Sequence, residues 1–279
     1  MPKPPRMSST QLAKMRQQKV IKANELIQKR THLLSVQEQK IVLYLISQLK
    51  PEQKEFEYQT FDMIDFCDAC GIDHDNGKNY INLRKAIQTL SDKSMWVIGE
   101  ETDILMRWIS SAKIEKGQGK IEVRFDEEMK PFLLELKNRY TQFDLIYTLG
   151  MKSKYSVRLY EILKSYEKIS EPVEFGLDRF RELVGAEYER WVDVRRFVIE
   201  PAIKEINRLS DLSVVYEAQK KGRSIVGVSF IVRVKRTFSE QAETYREIYK
   251  QLGHEDKATP LKGQLTFQDG EIQEVDTFI

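Results

Sequence analysis

Residues 189–235 read ERWVDVRRFVIEPAIKEINRLSDLSVVYEAQKKGRSIVGVSFIVRVK. The period of the apolar residues changes once along this stretch. At about 100° per residue, Trp191, Val194, Val198, Ala202 and Leu209 fall on one face of a helix over 189–209. Asp193, Arg196, Glu200, Lys204 and Asn207 fall on the opposite face. Pro201 removes one helical hydrogen bond and predicts a bend. Residues 212–217 and 224–235 are rich in β-branched residues and read as strands, joined by Gln219-Lys220-Lys221-Gly222-Arg223. Upstream lie a helix over 153–170, a short strand over 173–175 and a helix over 177–184 closed by Gly185. Helix, strand, helix, longer helix and hairpin is the order of a winged helix, a helix-turn-helix with a β-hairpin wing behind it.

The first half has the same order. One helix is expected over 12–30 and another over 33–49, where Leu34, Ile41, Leu45, Ile46 and Leu49 make a helical stripe. Ser35 and Glu38 have capping-box spacing, and Pro51 ends the element. A strand over 56–60, a helix over 62–69 capped by Gly71 and a polar turn over 73–77 follow. The next helix, 80–90, is expected to turn Ile81, Leu83, Ile87 and Leu90 inward. Strands over 95–109 and 113–125 and a helix over 126–137 complete the half. The fold class is α+β: two tandem winged-helix domains with a polar C-terminal tail. The expected division is a basic arm, 1–19; a first winged helix, 20–140; a second, 141–238; and a short helix with an acidic, mobile tail, 239–279. The join is expected near 138–152.

Length and charge agree with that division. At about 100–200 residues per domain, 279 residues suit two domains. The net charge of +2 is a cancellation. Residues 1–30 hold eight Lys or Arg against Glu25, and residues 239–279 hold four basic residues against nine acidic ones. A basic arm with an acidic tail points to nucleic acid, because basic arms neutralise phosphates and release counterions. No apolar run approaches the roughly 18 residues of a membrane span, and MPKPPRMSST lacks the apolar core of a secretory signal. Cys67 and Cys70 cannot staple a secreted scaffold, which suits a reducing cytoplasm.

The helix at 189–209 has the division that a major-groove reader needs, with one face for the domain and another for base edges. Arg190, Asp193 and Arg196 occupy its first turns. Arg195 lies nearer the apolar side, where it would reach the backbone at the groove edge or a partner. Lys220, Lys221 and Arg223 make the hairpin tip basic. In the first half the equivalent positions are Lys78, Asn79, Asn82, Arg84 and Lys85, suited to DNA contact or to dimerisation.

Several strings together resemble one family: ANELIQKR from Ala23, LSVQEQKIVLYLISQL from Leu34, SKYSVRLYEILKSY from Ser153, FRELVG from Phe180 and VIEPAIKEINRLSDLSVVYE from Val198. They resemble the initiator replication proteins of iteron-containing, theta-replicating bacterial plasmids. The resemblance runs from about residue 20 to 236 and implies that each winged helix enters its own major-groove segment of one origin direct repeat, an iteron. It implies that a monomer binds iterons while a dimer represses the initiator's own promoter. It further implies that bound monomers help open an adjacent AT-rich region and recruit host initiator and replicative helicase. By position, Arg190, Asp193, Arg195, Arg196 and Lys204 would be the main recognition residues. The tail lies outside the resemblance.

No enzyme signature is found. Gly71 to Asn79 has the wrong spacing for a phosphate loop, and Asn79 stands where Ser or Thr must bind magnesium. His32, His74 and His254 are too dispersed for a nicking centre. Cys67, Cys70 and His74 make half of a zinc site without a second pair. Neither a metal nor a cofactor is expected. The rival readings are a plasmid or phage transcriptional regulator with the same domains and no origin function, and a nickase or primase. Gln264-Leu265-Thr266-Phe267 only loosely matches a clamp-binding peptide and reads as featureless tail.

Overall fold

Ser8 caps the first helix, α1 (Ser9–Arg16), through a capping box with Gln11. The computed structural model describes residues 8–29, 34–50, 52–72, 77–98, 103–115, 119–136, 139–253, 265–268 and 271–274. The helix expected over 12–30 is broken after α1. Lys19–Ala23 is a strand, β1, and Asn24–Gln28 a short helix, α2. Val20 and Ile21 are β-branched, and the deciding force is tertiary: a distant strand supplies the hydrogen-bond partners. Next come α3 (Val36–Ser47), β2 (Gln59–Asp62) and α4 (Met63–Cys70). The Ser35–Glu38 capping box is formed, and Gly71 caps α4 in the left-handed region at φ 63°. A side chain at Gly71 would lie 2.9 Å from the backbone of Leu252, so the close approach also requires glycine.

Helix α5 (Gly77–Asp92) precedes β3 (Ser94–Ile98), β4 (Asp103–Arg107), β5 (Ile109–Ile114) and β6 (Lys120–Phe125). The two strands expected over 95–125 are therefore four. A 3-10 turn, Glu127–Met129, leads into the short helix α6 (Lys130–Leu133), which ends earlier than expected. The described part of the expected join, 139–152, is structured, and most of its residues from 143 to 151 are buried. Tyr140–Asp144 is β7, paired antiparallel with β1, and Ile146–Leu149 is a helical turn, α7, with all four residues buried. The second half comprises α8 (Lys154–Lys164), β8 (Val173–Gly176), α9 (Leu177–Val184), α10 (Trp191–Val194), a π turn at Arg195–Ile199, α11 (Glu200–Leu209), β9 (Leu212–Lys221) and β10 (Ser224–Val234). Helix α12 (Phe238–Gln251) follows. In the tail, where no element is expected, β11 (Leu265–Gln268) and β12 (Glu271–Glu274) pair as a hairpin.

The duplication is visible in the sheets. The first has the order β2-β6-β5 and the second β8-β10-β9, all antiparallel. In each, the short strand before the helix-turn-helix pairs with the last strand of the wing. The β3–β4 hairpin is an addition to the first half.

One apolar core runs through both halves, from Val20 and Leu26 through Leu45, Phe66 and Ile87 to Leu159, Val198 and Phe230. Polar groups tie the N-terminal elements to α8 as well. The Lys22 ammonium of β1 pairs with the Glu161 carboxylate of α8, with side chains only 2% and 5% exposed. Arg158 donates from Nη2 to the Ile27 carbonyl at 2.6 Å and from Nε to that of Leu183 at 3.0 Å. Helix α12 braces both halves. Arg208 bonds Glu247 and Gln251 from the second, while Arg16 lies 5.7 Å over the Tyr249 ring from the first. The expected basic arm is thus partly internal. Arg16 of that arm is buried and donates to the carbonyls of Asp68 and Ala69, while Lys19, half exposed, pairs with Asp144.

Candidate nucleic-acid interface

The turn that aims the second recognition helix begins at Gly185, whose φ of 66° lets Ala186 N–H close on the Arg181 carbonyl at 2.8 Å. The helix then starts at Trp191, with Arg190 as N-cap. Its buried face is close to the expected one: Val194, Val198, Ala202 and Leu209 have no exposed surface, and Ile199 and Ile206 join them. Trp191 is only half-buried.

At Pro201 one helical hydrogen bond is missing. Without an N–H, the proline cannot bond the carbonyl of Phe197. The ladder widens instead, and Glu200 N–H bonds the carbonyl of Arg195, five residues back. Angles taken at about 100° per residue do not hold across such a turn. That explains two departures. Arg195, expected nearer the apolar side, is exposed, with Nε 3.6 Å from Glu200 Oε1. Asn207, expected outward, turns to the hairpin: its Oδ1 accepts from Val214 N–H at 2.6 Å and its Nδ2 donates to the Val214 carbonyl at 2.9 Å. Asn207 thereby fixes the wing relative to the helix.

Arg196 and Lys204 are exposed, as expected. Arg190 is exposed, and its Nε donates to Asp193 Oδ2 at 2.7 Å. That bond raises the Arg190 pKa further above its ordinary value and leaves Asp193 half-buried. Lys235 secures the far end of the helix by donating to the carbonyls of Asn207 and Ser210. The Tyr216 hydroxyl donates to Glu200 at 3.2 Å, tying the wing to the outward face. Lys220, Lys221 and Arg223 stand exposed around the hairpin turn, where Gly222 adopts φ 63°.

In the first half, α5 buries Leu83, Ala86, Ile87 and Leu90 and exposes Asn82, Arg84 and Lys85. Lys78 and Asn79 fall within the helix, but their side chains lie outside the described residues. Ile81 contradicts the expectation of an inward position, for it is 64% exposed. Position 81 lies two residues from Leu83, so a helix that buries Leu83 and Ile87 turns it away. The sequence reading also missed an aromatic group on the second helix. Phe197 stacks on Tyr188 at 5.3 Å, with the Arg196 guanidinium 5.3 Å from its ring centroid. Val192 is 57% exposed beside them.

Among the described residues, no three His, Cys, Asp or Glu side chains gather as metal ligands. His32, His74 and His254 lie outside the described residues. Cys67 and Cys70 are buried, and burial pushes the Cys70 thiol up to about 11, away from thiolate chemistry. No described helix is long and apolar enough to cross a membrane.

Comparison with known proteins agrees with the geometry. A replication initiation protein of Escherichia coli is 27% identical over 234 residues, covering 78% of this chain and 70% of that protein. An uncharacterised 27.6 kDa protein of Escherichia coli is 23% identical over 124 residues, 43% of this chain and 52% of that protein. Among solved structures, the Pi initiator protein in complex with iteron DNA superposes with a TM-score of 0.64 at 18% identity, covering 77% of this chain and 96% of that one. Residues 19–164 match the family described as Initiator Replication protein, WH1, and residues 176–232 match Initiator Rep protein, WH2. With a winged helix in each half and more than half of its length matched, the chain belongs to the initiator replication protein family, whose members are DNA-binding rather than catalytic.

Proposed function

We propose that this protein initiates plasmid replication by binding directly repeated double-stranded origin DNA, the iterons. Helix α10–α11 enters the major groove with Arg190, Arg195, Arg196 and Lys204, while Asp193 orients Arg190. The hairpin tip, Lys220, Lys221 and Arg223, neutralises phosphates beside it. Helix α5 reads a second groove segment with Lys78, Asn79, Asn82, Arg84 and Lys85. One observation carries this reading: α10–α11 buries Val194, Val198, Ala202, Ile206 and Leu209 on one face, presents arginines on the other and is clamped to its wing by Asn207. The iteron complex of the Pi initiator supports the choice of ligand.

The same reading includes self-association, with a monomer on iterons and a dimer repressing the protein's own promoter. It also includes origin opening and recruitment of host initiator and replicative helicase in the bacterial cytoplasm. Footprinting on the direct repeats beside the coding gene tests the central claim. Protection of tandem direct repeats is the expected result. Protection confined to an inverted repeat overturns it in favour of a transcriptional regulator. Arg196→Ala should weaken binding by about 1–3 kcal/mol and relax the preference at one base pair. Unchanged specific affinity would remove α10–α11 as the reading helix.

A further inference from the structure

The most exposed large apolar side chain among the described residues is Ile81, on α5, at 64%; Val192, on α10, is 57% exposed, after Val215 at 59% and Phe238 at 58%. Single exposed aliphatics are ordinary on protein surfaces. Ile81 and Val192 are set apart by position. The architecture is duplicated, and each recognition helix exposes a β-branched aliphatic early in its course. Ile81 is the fifth residue of α5 and Val192 the second of α10. Neither serves the core, because Leu83, Ala86, Ile87 and Leu90 fill one interface and Val194, Val198, Ile199 and Ala202 the other. Neither serves the helix, since β-branched residues are weaker helix formers than lysine, glutamate or alanine. Both sit among side chains suited to base edges: Asn82, Arg84 and Lys85 around Ile81, and Arg190, Arg195 and Arg196 around Val192.

The major groove offers one apolar feature to such residues, the C5-methyl group of thymine. We infer that Ile81 and Val192 are specificity residues, each packing on a thymine methyl in its own groove segment. This rests on the proposed binding of origin DNA by both winged helices. It adds that each segment contains a thymine read by shape, within reach of bases read by the neighbouring arginine or asparagine.

Deoxyuridine differs from thymidine only by that methyl group. The full-length protein first selects its consensus from a duplex library with a randomised centre. Each consensus thymine is then replaced singly by deoxyuridine. Two replacements, one per segment, should weaken the native protein about fourfold, the worth of one buried methyl group. Val192→Ala should weaken binding to the thymine duplex by about the same factor and abolish the deoxyuridine effect at one position only. Ile81→Ala should do so at the other. Both substitutions are at exposed sites, so circular dichroism should show an unchanged fold. If no consensus emerges, sequence-specific recognition itself fails. If one emerges and every deoxyuridine is silent, or the effects persist in both variants, only the methyl contacts are overturned.

Discussion

Glu161→Gln isolates a charge that the fold has buried. In the native protein the Lys22 ammonium faces Glu161, and the Trp108 ring centroid lies 5.8 Å from the ammonium. Burial lowers the Lys22 pKa below its ordinary value, and the Glu161 carboxylate opposes that shift. Glutamine keeps the shape and an acceptor but removes the counter-charge. Lys22 then has two options, to remain a buried uncompensated cation or to discharge on folding. Discharge limits the cost. From an ordinary pKa of about 10.4, neutralising a lysine at pH 7 costs about 4.6 kcal/mol. That agrees with the roughly 3–5 kcal/mol lost when one partner of a buried pair is removed. The sign of the pH dependence follows. In the variant the unfolded chain binds one proton more than the folded one, so its stability rises with pH by about 1.36 kcal/mol per unit until about pH 10.4. The deficit should therefore shrink from about 4.6 kcal/mol at pH 7 to about 2 at pH 9. Urea denaturation of both proteins, followed by circular dichroism at pH 7, 8 and 9, measures it. A deficit below about 1 kcal/mol, or one independent of pH, would show that Lys22 is solvated and that the pair does not hold β1 to α8.

Three further outcomes are expected. Lys220→Ala should weaken binding to specific and unrelated duplexes alike and reduce the slope of log K against log salt by about one, read from titrations at several salt concentrations. Gly227→Ala would place a methyl carbon 2.6 Å from the Phe175 carbonyl oxygen across the β8–β10 ladder. Because that oxygen cannot retreat without parting the strands, urea denaturation should show a loss of about 1–3 kcal/mol. Burial, with help from the Asp62 and Asp68 charges, pushes the Asp65 carboxyl up to about 6. As its folded pKa lies above the unfolded value, stability is lost as pH rises between about 4 and 6. Asp65→Asn should therefore raise the Tm above pH 6 and give no gain at pH 4.

What the sequence made legible was local. The Ser35–Glu38 capping box, the left-handed glycines at 71 and 185 and the apolar stripe of 189–209 are written within a few residues of where they act. The two basic clusters of the second domain could be found for the same reason. What stayed hidden was set at long range. Residues 19–23 became a strand because 140–144 pairs with them, and no pattern within 12–30 records that. Asn207 and Arg195 were misplaced because Pro201 was read as a bend and not as the cause of a wider turn. Ile81 was assigned inward because it is apolar, although the positions of Leu83 and Ile87 on the same helix place it outside.

The charge asymmetry that first pointed to DNA changes meaning once its residues are placed. Arg16 and Lys22 belong to the basic segment, yet both are buried, and each ties the N-terminal elements to a neighbour. Lys22 joins β1 to α8, the β1–β7 ladder crosses the expected join, and Arg158 of α8 bonds the backbone of α2. A movement of β1 and α2 away from β7 and α8 would uncover an ion pair, a buried arginine and a strand ladder together. Each is costly to expose without replacement partners. Helices α5 and α10–α11 are carried on one continuous apolar core.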